Sequence, residues 1–231
     1  MAFTGGDALS ETPIDFSRVQ GILFDCYDTL LDISVDERSS GPYRTLSSWL
    51  AYQGVRITPE DLQAAYRKRI RDEMQVRGGA HPEVRVEEIF AGICRDHAVW
   101  PIDFTALGVL LARSFRAATV RRICAFPSSR RLIAALSAYP LGVVSNGQRV
   151  FSEIELRMFG FYPFFQTVVF SSDVGCKKPD EAIFRVALER MHLEPEHVLF
   201  IGDSQSNDII PSRRLGMQAL HINEAWALFS V

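Results

Sequence analysis

Gly21-Ile22-Leu23-Phe24-Asp25-Cys26-Tyr27-Asp28-Thr29-Leu30 is the stretch whose reading decides the fold. An apolar run from Val19 to Phe24, interrupted only by Gln20 and Gly21, ends abruptly in the carboxylate of Asp25. Short apolar runs bounded by turn residues read as buried strands of a parallel sheet. In open α/β sheets chemistry sits just past the carboxyl ends of the strands. The run therefore predicts Asp25 on a rigid strand end at the mouth of a crevice. Asp also closes ordinary strands, so the other segments must decide.

Working outward, residues 33–125 have a helical texture. Thr58-Pro59-Glu60-Asp61 is a helix start, with Thr58 as N-cap, Pro59 in the first position and acids in the first turn. That helix runs to about Val76, where Gly78-Gly79 stops it. Further helices are expected from Tyr43 to Gln53, after Pro82 (Val86, Ile89, Phe90, Ile93) and after Asp103 (Phe104, Leu107, Leu111, Phe115). From Phe126 onward strands and helices alternate. Leu141-Gly142-Val143-Val144, Thr167 to Phe170, Val198-Leu199-Phe200-Ile201 and Ala219 to Ile222 are the strands. Such alternation gives a parallel sheet with helices on both faces. The expected architecture is a Rossmann-like, three-layer α/β/α core, residues 18–32 and 126–231. It is interrupted by an α-helical cap, residues 33–125, and preceded by a flexible tail, residues 1–17.

The chain has 231 residues, 47% of them hydrophobic, and a net charge of −3. It can bury a core and has no basic field to draw it to nucleic acid or an anionic membrane. No apolar stretch reaches the roughly 18 residues of a membrane span. The first residues lack the basic and apolar regions of a secretory signal. Cys26, Cys94, Cys124 and Cys176 form no C-x-x-C pair and no zinc spacing. Reduced thiols in a cytoplasmic protein are expected, with Cys26 a small buried hydrophobe.

Polar groups stand at four strand ends: Asp25, Ser145-Asn146, Ser171-Ser172-Asp173 and Asp203. A parallel sheet brings these ends to one edge. Lys178, in the loop leading to a helix near Asp180, reaches the same crevice. Asp25 and Asp203 close together ionise jointly only with a cation between them. Hard oxygen ligands point to Mg²⁺. Ser145, Asn146 and Lys178 offer donors to an anionic substrate. The chemistry expected is attack by a carboxylate while a metal and a lysine steady the anion.

The chain resembles the haloacid dehalogenase superfamily. The resemblance is ordered through Asp25-Cys26-Tyr27-Asp28-Thr29-Leu30, Val143-Val144-Ser145-Asn146-Gly147, Lys178-Pro179-Asp180 and Ile201-Gly202-Asp203-Ser204-Gln205-Ser206-Asn207-Asp208. It implies that Asp25 is the nucleophile and that Ser145 and Asn146 bind the transferring group. Lys178 would steady the charges. Mg²⁺ would sit on Asp25, Asp203 and the carbonyl of Tyr27, with Asp208 orienting Lys178 or the metal's water. The helical insertion resembles the cap that shields the superfamily's active site.

One departure matters. Phosphatases of this superfamily usually carry an acid two residues past the nucleophile, where this chain has Tyr27. The superfamily's 2-haloacid dehalogenases carry an aromatic there, since halide leaves without a proton, and need no metal. Asp203 points the other way, because dehalogenases tend to have Ser in its place. The reading is a Mg²⁺-dependent phosphatase of a small phosphorylated metabolite. A metal-free 2-haloacid dehalogenase, and a weakly active binding or regulatory homologue, are the alternatives. Asp28, next along, is expected on the opposite side of the chain from Tyr27. Arg44, with Tyr43, is expected to line the crevice. The run Arg67-Lys68-Arg69 with Arg71 reads as a solvated helix face balanced by Glu60, Asp61, Asp72 and Glu73. The five histidines read as structural. The partner expected is a small anionic molecule, and the assembly a monomer or homodimer.

Overall fold

The computed structural model describes residues 14–231. Most of the expected flexible tail lies outside the described residues. Within them, Ile14 and Phe16 pack on the core and Asp15 is bonded to Gln218, so the chain is anchored from Ile14 onward.

Five parallel strands form the central sheet in the order β5-β4-β1-β6-β7. They are β1 (Gly21–Phe24), β4 (Leu141–Ser145), β5 (Thr167–Phe170), β6 (Val198–Gly202) and β7 (Gln218–His221). All residues of β1, β4, β5 and β6 are buried. Side chains alternate between faces along each strand. Ile22 and Phe24 face a layer containing α5 (Pro127–Ala135), α6 (Arg149–Met158) and α10 (Ile222–Leu228). Leu23 faces the opposite layer, built on α8 (Glu181–Met191). The three-layer expectation holds. The chain runs from β1 outward to β5, then returns to β6 on the other side of β1, so the ends of β1 and β6 flank the switch point where ligands bind.

The insertion holds four helices: α1 (Ser40–Tyr52), α2 (Pro59–Arg77), α3 (Val86–His97) and α4 (Phe104–Thr119). Thr58 caps α2 by accepting from the Asp61 amide, and Gly78, at φ +66°, ends it. Tyr43, Tyr66, Phe90 and Phe115 form its aromatic centre, with Tyr66 stacked on Phe90 at 4.9 Å. This core of the insertion is continuous with Val150 and Phe151 of α6, so the insertion is seated on the α/β layer rather than merely tethered to it.

The join is not the helical one expected. Leu31–Val35 forms β2, which pairs antiparallel with β3 (Val120–Ala125), and the cap hangs from this two-stranded ribbon. Residue 33 therefore lies in a strand, and the helical part of the insertion begins near residue 40. The short apolar signal of Leu31 and Ile33 took strand form because β3 supplied a partner. Helix α10 was likewise not expected, and it closes the sheet next to α5.

Candidate functional site

Asp25 is the first residue past β1. Its backbone amide donates to Ile201 on β6, which fixes the strand end. The chain then turns sharply: the Leu30 and Leu31 amides both bond to the Cys26 carbonyl, and Asp28 sits at φ +59°. That left-handed position breaks the simple strand alternation expected for Asp28, which is exposed.

Lys178 is 3% exposed and its ammonium bridges two carboxylates, Asp25 Oδ1 and Asp208 Oδ1, each at 2.6 Å. Asp208 is 1% exposed, and its other oxygen accepts from the Ser204 amide at 3.0 Å. Gly202 permits this, since a side chain there would fall 2.6 Å from the Asp208 carboxyl. Asp203 completes the cluster: carboxylate oxygens of Asp25, Asp203 and Asp208 lie within 4.8 Å of one another.

Burial pushes the Asp25 carboxyl up to about 7, against the pull of Lys178 and with the push of Asp208. Burial also raises Asp203, helped by Asp208 and Asp28. Burial works against the Lys178 ammonium, but Asp25 and Asp208 outweigh it and hold its pKa above the ordinary value. Three carboxylates share one ammonium here, which leaves an excess of negative charge among hard oxygen donors. This donor set fits a divalent cation of the Mg²⁺ or Ca²⁺ type.

Ser145 ends β4, and its hydroxyl is buried with no hydrogen-bond partner. Buried hydroxyls are normally paired, so this one is free to meet a ligand. The Asn146 side chain is engaged differently. It accepts from the Lys178 amide at 2.7 Å and donates to the Lys178 carbonyl at 3.0 Å. Through this double bond Asn146 sets where Lys178 stands.

The Tyr27 phenol turns to a second network. It donates to Glu155 Oε2 at 2.5 Å and also lies 2.7 Å from Ser152 Oγ. Glu155 in turn holds Arg116 of α4 through two hydrogen bonds, at 2.7 and 3.0 Å. The Arg116 guanidinium stacks over Phe151 at 4.6 Å and over Tyr27 at 5.4 Å. Burial, then Cys26 and Glu155, push the phenol well above its usual pKa.

Several participants carried no signal that sequence reasoning used. Thr29 Oγ1 lies 3.4 Å from Asp25 Oδ2. Gln148 bonds to the cap at Val84 O and the Val86 amide. Glu83 is buried and accepts from Ser171 Oγ at 2.8 Å. Gln148 and Thr29 stand inside or beside motifs already quoted, and that adjacency was the available clue. Arg44 is exposed on α1, and the cleft that Tyr43 lines takes Arg38, Arg67 and Arg71 instead. Cys26 is buried beside Asp25, and all four cysteines are free thiols.

A family model described as haloacid dehalogenase-like hydrolase matches residues 19–216. This chain belongs to the haloacid dehalogenase-like hydrolases. As a member of that family it is an enzyme, a hydrolase. It is similar to glyceraldehyde 3-phosphate phosphatase of Methanocaldococcus jannaschii, 27% identical over 88% of this chain and 85% of that one. The counterpart from Methanothermobacter thermautotrophicus is 34% identical, but the match spans only 51% of this chain and 52% of the relative. Phosphoglycolate phosphatase of Yersinia pseudotuberculosis is 27% identical over 88% of this chain and 80% of its own length. Among solved structures, a 2-haloacid dehalogenase from Pseudomonas syringae shares the fold with TM-score 0.61 at 22% identity, covering 87% of this chain and 85% of that one. The magnesium-bound hydrolase YfnB of Bacillus subtilis shares it with TM-score 0.52 at 22% identity, over 93% and 100%.

Proposed function

We propose that this hydrolase is a Mg²⁺-dependent phosphatase of small anionic phosphate esters, working through an aspartyl-phosphate on Asp25. One observation carries the reading. Asp203 is kept, half-buried, in a cluster with the buried Asp25 and Asp208, where a single lysine leaves negative charge to be neutralised. The names of the similar phosphatases from three organisms support it.

Lys178 occupies Asp25 Oδ1, which leaves Oδ2 as the attacking oxygen. Attack of Oδ2 on phosphorus forms the P–O bond to Asp25 and breaks the ester bond to the leaving group. Ser145 Oγ donates to a phosphoryl oxygen, and Lys178 screens the charge of nucleophile and phosphate. Water then cleaves the acyl phosphate, releasing inorganic phosphate and restoring Asp25. Asp25, Asp203 and the Tyr27 carbonyl would hold Mg²⁺, which supplies charge stabilisation to the phosphoryl oxygens. The Tyr27 phenol is not the general acid: its hydroxyl donates its hydrogen bond to Glu155 and its pKa is driven up. The leaving alkoxide takes its proton from water, which favours acyl phosphates and other good leaving groups.

The test is a panel of phosphoesters, acyl phosphates and 2-haloacids, each with Mg²⁺ and with EDTA. Phosphate release that needs Mg²⁺ and is lost in Asp25→Asn supports the reading. Tyr27 favours the dehalogenase alternative, and haloacid turnover surviving EDTA would establish it instead. Metal binding without turnover would mark a regulatory homologue. We place the protein in the cytoplasm as a monomer or homodimer. Its free thiols and the absence of a membrane-length apolar helix among the described residues are consistent with that.

A further inference from the structure

The basic run on α2 divides in the fold. Lys68 pairs with Asp72, Arg69 with Asp96 and Arg77 with Glu73. Arg67 and Arg71, one turn apart, instead line a separate cleft of about 510 Å³ together with Arg38. None of these three arginines makes an ion pair among the described residues, although the other basic residues of α2 all do. Like charges one turn apart destabilise a helix, and no neighbouring acid on α2 relieves this pair. A purely solvated, balanced face would have paired them as it paired their neighbours.

A second observation points to a ligand. Tyr66 is 7% exposed and lines this same cleft. Its ring is buried, while its hydroxyl makes no hydrogen bond among the described residues and stays accessible to a ligand. Tyr66 also lines an inner cavity of about 190 Å³. The two cavities share Glu37, Tyr66 and Ile70, and the inner one reaches Gln148 and Phe151. Gln148 follows Ser145-Asn146-Gly147 directly. The inner cavity therefore lies between Gln148 and the cleft of the three arginines, with Glu37, Tyr66 and Ile70 as the shared wall.

We propose that Arg38, Arg67 and Arg71, with the Tyr66 hydroxyl, form an anion subsite on the cap that receives a second acidic group, a phosphate or a carboxylate. Three guanidiniums against the one carboxylate of Glu37 leave the cleft positive. The inner cavity has room for a short carbon chain, and Glu37 can accept from hydroxyls along it. Two sources share this chemistry. The group is either the distal end of a phosphate ester whose reacting phosphate lies at Asp25, or a separate small anion. The first source rests on the phosphatase reading, and the binding site itself does not.

The test uses the whole chain and the double variant Arg67→Gln/Arg71→Gln, with Lys68→Gln/Arg69→Gln, on the paired residues of the same helix, as a charge-matched control. Binding of α,ω-alkane diphosphonates of graded length and of inorganic phosphate is measured calorimetrically in EDTA, so no turnover is needed. The expected result is length-dependent diphosphonate affinity that falls about tenfold in the double variant and is unchanged in the control. Diphosphonate affinity that ignores the double variant overturns the subsite. Arginine-dependent phosphate binding with no preference for diphosphonates assigns it to a separate anion. In parallel, kcat/KM is compared for phosphate esters with and without a distal acid. Turnover that ignores both the distal charge and the arginines removes the subsite while leaving the phosphatase standing. Arginine-dependent binding without turnover does the reverse.

Discussion

The Tyr27 hydroxyl is hydrogen-bonded to Glu155 at 2.5 Å, and this bond ties the loop after Asp25 to the ion pair that seats the helical insertion. Tyr27→Phe removes the bond and leaves the ring. It is expected to cost about 1–2 kcal/mol of stability and to change kcat less than about threefold, because no proton is delivered from this phenol. Loss of turnover approaching the 100-fold typical of a missing general acid would show that the phenol does deliver one. Urea unfolding and steady-state kinetics on one preparation read both quantities.

The Arg116–Glu155 pair is almost buried, with side-chain exposures of 11% and 8%. Breaking such a pair strands a charge, whereas replacing both partners with apolar groups is often nearly neutral. Arg116→Met is expected to destabilise by about 3 kcal/mol. Arg116→Met/Glu155→Met should recover at least half of that loss, as read by denaturant midpoints. Additive losses would mean that the pair makes no joint contribution.

Asp25 gives a pH signature in metal-free protein. Its folded pKa, about 7, lies above the ordinary carboxylate value. An acid raised in this way binds more protons folded than unfolded. Its stability contribution is therefore full below about pH 4 and is lost as pH rises to the folded pKa. Asp25→Asn has no such loss. In EDTA the variant should match wild type near pH 4 and exceed it at pH 8 by an amount on the order of 4 kcal/mol. A difference that is flat with pH would show that Asp25 is not raised.

Cation binding has a readout apart from activity. Mg²⁺ at about 100 times its dissociation constant should stabilise the fold by about 2.7 kcal/mol. Asp203→Asn should abolish most of that thermal shift, because it removes a hard oxygen ligand. An equal shift in the variant would place the cation elsewhere.

Restoring an acid at position 27 is not a simple gain. Tyr27→Asp would set a carboxylate against Glu155, which has already taken Arg116. Combining it with Glu155→Gln removes the repulsion. The double variant is expected to hydrolyse alkyl phosphate monoesters at least about tenfold faster than Tyr27→Asp alone, measured by phosphate release.

The core and the sheet edge that gathers the candidate site were legible because buried parallel strands leave continuous apolar runs that end in polar residues. Asp25, Ser145 and Asp203 all stood at such ends, and Lys178 stood in the loop before α8. Other features had no local signature. The task of Asn146 is a bond to a backbone 32 residues away. The orientation of Tyr27 depends on Glu155, 128 residues on. In the α2 basic run, Lys68–Asp72 and Arg77–Glu73 are local pairs, but the pairing of Arg69 depends on Asp96, which α3 brings. Strand β2 needed β3, across the whole insertion, before its short run could pair.

The ribbon that carries the cap has a further meaning. Asp36 donates its amide to the Thr119 carbonyl, so the chain leaves and re-enters at touching backbone positions. Everything from 36 to 119 hangs from one closed neck, and the core on the near side already has its register set by β2 and β3. Such a segment is a cassette. Its length can change without re-threading the sheet, because the register of the strands on either side of Asp25 is set outside it.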